Sequence, residues 1–267
     1  VERIGEYEIL EQIGRGAMGV VYRARDEAGR EVALKVMASE LTHDDELVER
    51  FKREAMTASR LEHPNVTQIF AFGDSDQQMF IAMELLEGTD LKDLIAKGDV
   101  GPLSRRLEMM LQASAGLSAV HAEGFVHRDL KPANLHVQSD GRVKIMDFGL
   151  VRLDNSEMTR TGMVLGSPSY MAPELVRGQR ADARSDVFSL GAVFYELLSG
   201  QRPFPGRGMG EILTAIMNRE PAPLEGMPPA VTWIIDRCLR KDPGQRYRTA
   251  GELHSALEVA TRAYAGS

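Results

Sequence analysis

The stretch HRDLKPANLHV, His127 to Val137, restricts what this chain can fold into more than any other. It sets a carboxylate, Asp129, two residues before a cation, Lys131, and five before an amide, Asn134. Pro132 lies between them and argues against a continuous helix, so the segment reads as a rigid loop. Held in a loop, such a set can orient a hydroxyl nucleophile, neutralise a phosphoryl group and ligate a divalent metal. A second carboxylate, Asp147 in MDFG, follows ten residues past Val137. The two acids together read as a metal-dependent phosphoryl-transfer centre, provided a nucleotide site lies upstream.

Upstream the chain is strand-prone and punctuated by glycine. YEILEQIG, GVVYRARD and EVALKVM are short β-type runs, and DEAGR at 26–30 predicts a hairpin between the last two. Between the first two lie Gly14, Gly16 and Gly19, with Val21 following. Glycines at that spacing let backbone N–H groups approach phosphate oxygens with no Cβ in the way. A dinucleotide-binding loop would open a helix, but the strand-like GVVY follows, and no G-x-x-x-x-G-K-[ST] occurs anywhere.

Lys35 ends VALK, a run too apolar for a solvated strand, although a snorkelling surface lysine would also suit the position. Residues 44–61 predict a helix with Leu47, Phe51, Ala55 and Ala58 as its apolar stripe and Asp44 and Asp45 at its N-terminal end. Glu54 lies beside that stripe, where a carboxylate needs a cation, and Lys35 is the obvious one. A surface pairing with Lys52 or Arg53 is the alternative. VTQIFAFG and QMFIAMELL add two more strands, making five strands and one helix before residue 90.

At ELLEGTD, 84–90, apolar strand gives way to polar linker, and a lobe boundary is expected there. Main-chain groups of Glu84 and Leu86 could bond an adenine edge. Asp90 could meet a ribose hydroxyl or a basic substrate side chain, or cap the helix begun by LKDLIAK. The remainder is mainly helical. A long helix runs to Gly124, 182–199 is apolar enough to be buried on most sides, and GEILTAIMN, AVTWIIDRCLR and TAGELHSALEVA supply three amphipathic helices. HVQSDGRVKIM predicts a small hairpin around Asp140 and Gly141.

In this order the pieces resemble the protein kinases from about residue 7 to 262. The signatures are G-x-G-x-x-G-x-V at Gly14 to Val21, V-A-L-K ending at Lys35, H-R-D, D-F-G, and M-A-P-E at 171–174. DLKPAN is similar to the Ser/Thr branch, and GRGAMGVVY with MTRTGMVLGSPSY is similar to the bacterial Hanks-type kinases. The resemblance implies an α+β, bilobal fold: a small five-stranded antiparallel β lobe with one helix, a larger mainly α lobe, and an ATP cleft between. The implied limits are 1–84 for the N-lobe, 85–90 for the hinge and 91–267 for the C-lobe, with an activation segment at 147–174.

Carried over by residue, the resemblance makes Asp129 the group that accepts or orients the substrate hydroxyl, and Lys131 the cation that stabilises the transferred phosphoryl. Asn134 and Asp147 would hold two Mg²⁺ (Mn²⁺ as an alternative). Lys35 braced by Glu54 would hold the α- and β-phosphates of ATP. Gly14, Gly16, Gly19, Val21, Ala33, Met83, Glu84, Leu86, Asp90 and His136 complete the nucleotide-binding set. Thr159, Thr161 or both are expected to be autophosphorylated, since a phosphothreonine suits Arg128. His127 and Phe148 are expected to be structural, Asp186 to brace the catalytic loop, and Glu174 with Arg246 to form a buried ion pair. His136 departs from the aliphatic residue usual beneath the adenine ring, and Phe188 from the usual Trp or Tyr. With no member of the catalytic set lost, an active Ser/Thr protein kinase is expected. The alternative is a nucleotide-binding pseudokinase or scaffold.

Composition sets the remaining bounds. A net charge of −7 over 267 residues argues against a nucleic-acid partner. The one cysteine, Cys238, forms no internal disulfide and fits a reducing compartment. Protein substrates are the expected partners, and a cytoplasmic location is expected. The chain opens on Val1 rather than Met, which suggests an excised domain. Members of the family often carry a membrane helix outside it, and back-to-back pairing through the N-lobe is known among them.

Overall fold

The computed structural model describes residues 2–16, 19–38, 48–49, 52, 55–56, 58–75, 78–147 and 168–266. These fall into two compact units, one up to Glu87 and the other from Gly88 onward.

The first unit is an antiparallel sheet of β1 (Arg3–Ile4), β2 (Tyr7–Gly16), β3 (Gly19–Arg25), β4 (Glu31–Met37), β5 (Ile69–Ser75) and β6 (Gln78–Glu84), in the order β1-β2-β3-β4-β6-β5. The five strands read from the sequence are joined by one more, β1. Two residues are too few to show alternation, and β1 exists because the turn at Gly5 (φ 57°) folds it back onto Tyr7 and Glu8. The hairpin at 26–30 forms as its composition demands: Asp26 Oδ1 accepts from Arg30 N–H at 2.8 Å, and Gly29 takes φ 83°.

Strand alternation sorts β4 between two faces. Val32, Leu34 and Val36 pack with Ala24, Phe80 and Ala82 into a core closed by Ile4 and Tyr7, and the Tyr7 ring meets Phe80 edge-on at 5.5 Å. Ala33 and Lys35 therefore point the other way. Of the helix expected at 44–61, residues 48–49, 52, 55–56 and 58 are described as helical, with Ala55 and Ala58 buried as their stripe requires.

The second unit contains α1 (Leu91–Lys97), α2 (Leu103–Ala122), α3 (Pro173–Val176), α4 (Ala183–Ser199), α5 (Met209–Asn218), α6 (Pro229–Cys238) and α7 (Ala250–Ala265). It also holds a small sheet of β7 (Gly88–Asp90), β8 (Leu135–Gln138) and β9 (Val143–Ile145). The hairpin around Asp140 and Gly141 is present as β8–β9. Part of the segment expected to be linker is strand instead. Gly88 lies so close to β8 that a Cβ there would strike the Val137 carbonyl, and Gly88–Asp90 pairs with His136–Gln138. Three residues with a glycine first carry no strand signal of their own.

α4 is buried on nearly every side, from Ser185 to Leu198. Its start is fixed by a capping box between Asp182 and Ser185, and its end by Gly200 at φ 74°. Phe188 stacks on Phe204 at 5.9 Å within that core. α7 lies along α2, starting at Thr249, whose hydroxyl accepts from Glu252 N–H.

Candidate active site

The loop that begins at His127 is built on a carboxylate from another helix. Asp186, buried in the first turn of α4, accepts from His127 N–H at 2.6 Å and from Arg128 N–H at 2.8 Å. Those bonds hold Arg128 at φ 65°, a left-handed conformation that costs a residue with a Cβ about 1–2 kcal/mol. The turn at Arg128 presents Asp129.

His127 is wholly buried, and its two ring nitrogens have different partners. Nδ1 lies 3.3 Å from Asp129 N–H, which donates to it, so the ring proton sits on Nε2 and is donated to the Met146 carbonyl at 2.9 Å. Burial pushes this imidazole below its ordinary pKa, outweighing the opposing pull of Asp186, and keeps it in this neutral form. The histidine is a strut, as expected, joining the backbone before Asp129 to the backbone before Asp147.

Around Asp129 the expected groups converge. Lys131 Nζ donates to Asp129 Oδ2 at 2.8 Å. Asn134 Nδ2 donates to the Asp129 carbonyl at 2.8 Å and to Oδ2 at 3.3 Å. Pro132–Asn134 forms a tight 3₁₀ turn, which explains how residues two and five positions away reach one carboxylate. Met146 N–H donates to the Asn134 carbonyl at 2.9 Å, so Asp147 follows directly on the residue tied to Asn134. Asp147 itself has φ 52°. Asn134 commits its nitrogen to Asp129, so its oxygen is the atom suited to a cation. An amide oxygen and a carboxylate are hard donors that fit Mg²⁺, which takes its other ligands from water and phosphate. Among the described residues no group of three or more His, Cys, Asp or Glu forms a protein-only metal cage.

In the first unit, register brings together residues scattered through the sequence. Val21 lies opposite Lys35 and Lys35 opposite Ile81, while Ala33 lies opposite Met83. Directly opposed residues share a face, so Val21, Ala33, Lys35 and Met83 lie on the face turned away from the Tyr7 and Phe80 core. Gly14 pairs with Val21 and Gly16 with Gly19. Of the three glycines only Gly19 is required by the fold itself: its φ is 138°, and a Cβ would strike the Val36 carbonyl. Among the described residues, a Cβ on Gly16 would meet no atom within 4 Å.

Glu84 N–H donates to Gln68 O at 2.9 Å, so only its carbonyl is suited to the base-bonding role expected of its main chain. Asp90 caps α1, accepting from Asp93 N–H at 2.8 Å. In the small sheet Asp90 lies opposite His136, and His136 opposite Lys144. Leu86 lies in irregular chain beyond β6. Glu54, Phe148, Thr159 and Thr161 lie outside the described residues.

The end of the expected activation segment is anchored by a bidentate pair. Arg246 donates from both terminal nitrogens to Glu174 at 2.8 Å, and Ser185 Oγ–H donates to the same carboxylate at 2.7 Å. Burial opposes ionisation of Glu174, but the hydrogen bonds and charge of Arg246 outweigh it and hold the carboxyl below its usual range. Sequence reading passed over His121, whose Nε2 lies 3.0 Å from Asp186. Nothing in its spacing along the sequence marks it as a functional residue.

The chain matches the protein kinase domain family over residues 7–257. It is 39% identical, over 97% of its length, to the serine/threonine-protein kinase PknA of Mycobacterium tuberculosis, and 38% identical over 96% to PrkC of Bacillus subtilis. It spans 62% of the length of PknA and 40% of PrkC. The crystal structure of the PknI kinase domain of M. tuberculosis superposes with a TM-score of 0.75 at 27% identity, covering 97% of each chain. The chain belongs to the protein kinase domain family, among the bacterial Hanks-type Ser/Thr kinases, with that family's α+β fold.

Proposed function

We propose that this chain transfers the γ-phosphoryl group of ATP to Ser or Thr hydroxyls of protein substrates. The observation that carries this reading is the convergence of Lys131 Nζ and Asn134 Nδ2 on the one carboxylate of Asp129, with Asp147 tied in through Met146. Phosphoryl transfer asks little covalent chemistry of a protein, so positioning and charge must supply most of the rate.

Asp129 orients the acceptor hydroxyl and takes its proton as the new O–P bond forms. Lys131, fixed by Asp129, neutralises charge on the phosphoryl group in flight. Asn134 and Asp147 hold Mg²⁺, with Mn²⁺ as substitute; when bound, the metal neutralises the ATP phosphates. Lys35, backed by Glu54, holds the α- and β-phosphates. The face carrying Val21, Ala33 and Met83, with Gly14, Gly16 and Gly19, the Glu84 carbonyl, Leu86, Asp90 and His136, takes the rest of the nucleotide. That no described residue stands within 4 Å of where a Gly16 Cβ would lie supports close approach of a phosphate there.

Residues 1–84 are assigned as the nucleotide lobe, 85–90 as the hinge and 91–267 as the C-lobe. Thr159, Thr161 or both are the acceptors of autophosphorylation. A cytoplasmic setting belongs to the same reading, with two copies pairing through the strand-rich unit; among the described residues no helix is long and apolar enough to cross a membrane. Incubation with Mg²⁺ and ATP, followed by intact mass over time, tests the reading. Stepwise addition of phosphate to the chain, absent in Asp129→Asn, is the expected result. A chain that gains no phosphate and labels no generic Ser/Thr substrate would sink it.

A further inference from the structure

From the ion pairs on the Lys35 face of the first sheet we infer that Arg23 is a positioning residue for ATP, tying the glycine-bearing strand β2 to β4 through Glu11 and Glu31. The inference rests on the reading above that this face takes the nucleotide, while the tie itself is structural.

Strand β2 meets β3 through an interrupted ladder. Ile9 pairs with Ala24 but Glu11 with Arg23, and Gln12 pairs with Tyr22 but Gly14 with Val21. Leu10 and Ile13 are therefore extra residues with no opposite number on β3. Each such insertion breaks the ladder locally and bends its strand. Both side chains are exposed, so packing does not make good the loss. Between the two insertions only Glu11 and Gln12 stay in register, and Gly14 and Gly16 follow at once.

Arg23 spans this weak place from the neighbouring strand. It lies opposite Glu11 on one side and opposite Ala33 on the other, and so on the face of Ala33 and Lys35. Its Nε donates to Glu31 Oε2 at 2.7 Å, with Nη2 2.5 Å from the same oxygen, and its Nη1 donates to Glu11 Oε1 at 3.3 Å. Arg25 Nη2 donates to the other Glu31 oxygen at 3.2 Å. Hydrogen bonds from Arg23 and then Arg25 hold the Glu31 carboxyl below its usual range, so it is charged at neutral pH. An isolated surface pair contributes little, but these pairs form a network over three strands where the backbone ladder is broken. With Glu11 held to β4, residues 12–16 leave the second insertion in a fixed direction, toward their pairing with Val21. That direction sets how Gly14 and Gly16 meet the phosphates.

The arms of the network can be cut one at a time. Arg23→Met should raise KM for ATP roughly fivefold with kcat within about twofold, the pattern of lost ground-state binding. Glu11→Gln, which cuts only the arm to β2, should do the same. Arg25→Met takes a charge from the same carboxylate but leaves the tie to β2, and should keep KM within about twofold. Arg23→Lys should restore KM only in part, since one ammonium does not hold two carboxylates in a fixed fork. Amide hydrogen exchange at Glu11 and Gln12 should quicken in Arg23→Met and Glu11→Gln alone. Salt screens exposed charges, so the KM of Arg23→Met and that of the unaltered protein should converge as ionic strength rises.

The inference is overturned if Arg23→Met and Glu11→Gln leave KM within about twofold of the unaltered protein, whatever the exchange rates do. A raised KM with unchanged exchange would overturn it too, placing Arg23 against ATP itself. So would an equal rise in Arg25→Met, which would assign the effect to the charge of the face. If Arg23→Met does not fold, Glu11→Gln and Arg25→Met still decide. If the unaltered chain binds no ATP in titration calorimetry, the nucleotide reading fails, while the exchange rates still test the tie.

Discussion

Val21, Ala33, Lys35 and Met83 in the first unit, and Asp129, Asn134 and Asp147 in the second, are brought together by different means. The first group shares a sheet face because strands alternate and their register pairs Val21 with Lys35 and Ala33 with Met83. The second sits on short, irregular backbone, with Arg128 and Asp147 at positive φ, and is held by the side chains of His127 and Asp186. A sheet face is redundant, since many ladder bonds enforce it and one substitution disturbs it little. A loop held by one buried carboxylate is not. Substitutions in the second unit should therefore act on chemistry or on whole-domain stability, and those in the first on local strain and ligand approach.

The sharpest break between the two should come from Asp129→Asn. Phosphoryl transfer to a peptide is expected to fall by about 10²–10⁴-fold, with the far-UV circular dichroism unchanged. Next comes the anchor of the segment that follows the loop. Arg246→Met leaves Glu174 buried without its cation and should cost about 3–5 kcal/mol in urea unfolding. The pH dependence of that pair has a definite sign. Glu174 is held below the ordinary glutamate value of 4.5, so its contribution is complete above that pH and lost as pH falls through its lowered folded value. Arg246→Met should flatten that acid limb.

A smaller effect is expected in the first unit, where the glycines can be set against one another. Gly19→Ala should cost about 1–3 kcal/mol, through its φ and the Val36 carbonyl. Gly16→Ala should stay within about 0.5 kcal/mol while weakening ATP binding in titration calorimetry. Equal stability losses at the two positions would contradict the account of which glycine the fold needs.

An effect of opposite sign, smaller than that of Arg246→Met, belongs to Lys241. Its Nζ is buried 3.7 Å from the Phe204 ring with no hydrogen-bond partner among the described residues, and burial brings its pKa down to about 8. Between that value and the ordinary 10.5 the folded chain sheds a proton that the unfolded chain keeps, so this group makes stability rise with pH across the window. Lys241→Met should stabilise the protein by about 1 kcal/mol at pH 7, allowing for the residue's partial exposure and the lost cation–π contact. Differential scanning calorimetry should show the gain shrinking toward pH 10.5.

Much of this was legible before any coordinates. Glycine punctuation and period-two runs placed the strands, helical periodicity and caps placed α2 and α4–α7, and the spacing of Asp129, Lys131 and Asn134 announced their chemistry. These are local signals, carried by residues within a turn or two of one another. β1 and β7 escaped because two and three residues are too short to display a period. The spent N–H of Glu84 escaped too, since its partner is the carbonyl of Gln68, far back along the chain.

The amino-acid order alone determined the element types, the family and the set of polar residues proposed for the site, because each is written in short-range spacing. Tertiary structure alone decided which distant groups satisfy the buried ones. Asp186 meets His121, His127 and Arg128, and Ala250 N–H meets His121, only once α2, α4 and α7 are packed. The physical reason is that a buried charge draws on whatever donors packing brings within about 3 Å, and no periodicity along the chain encodes that distance.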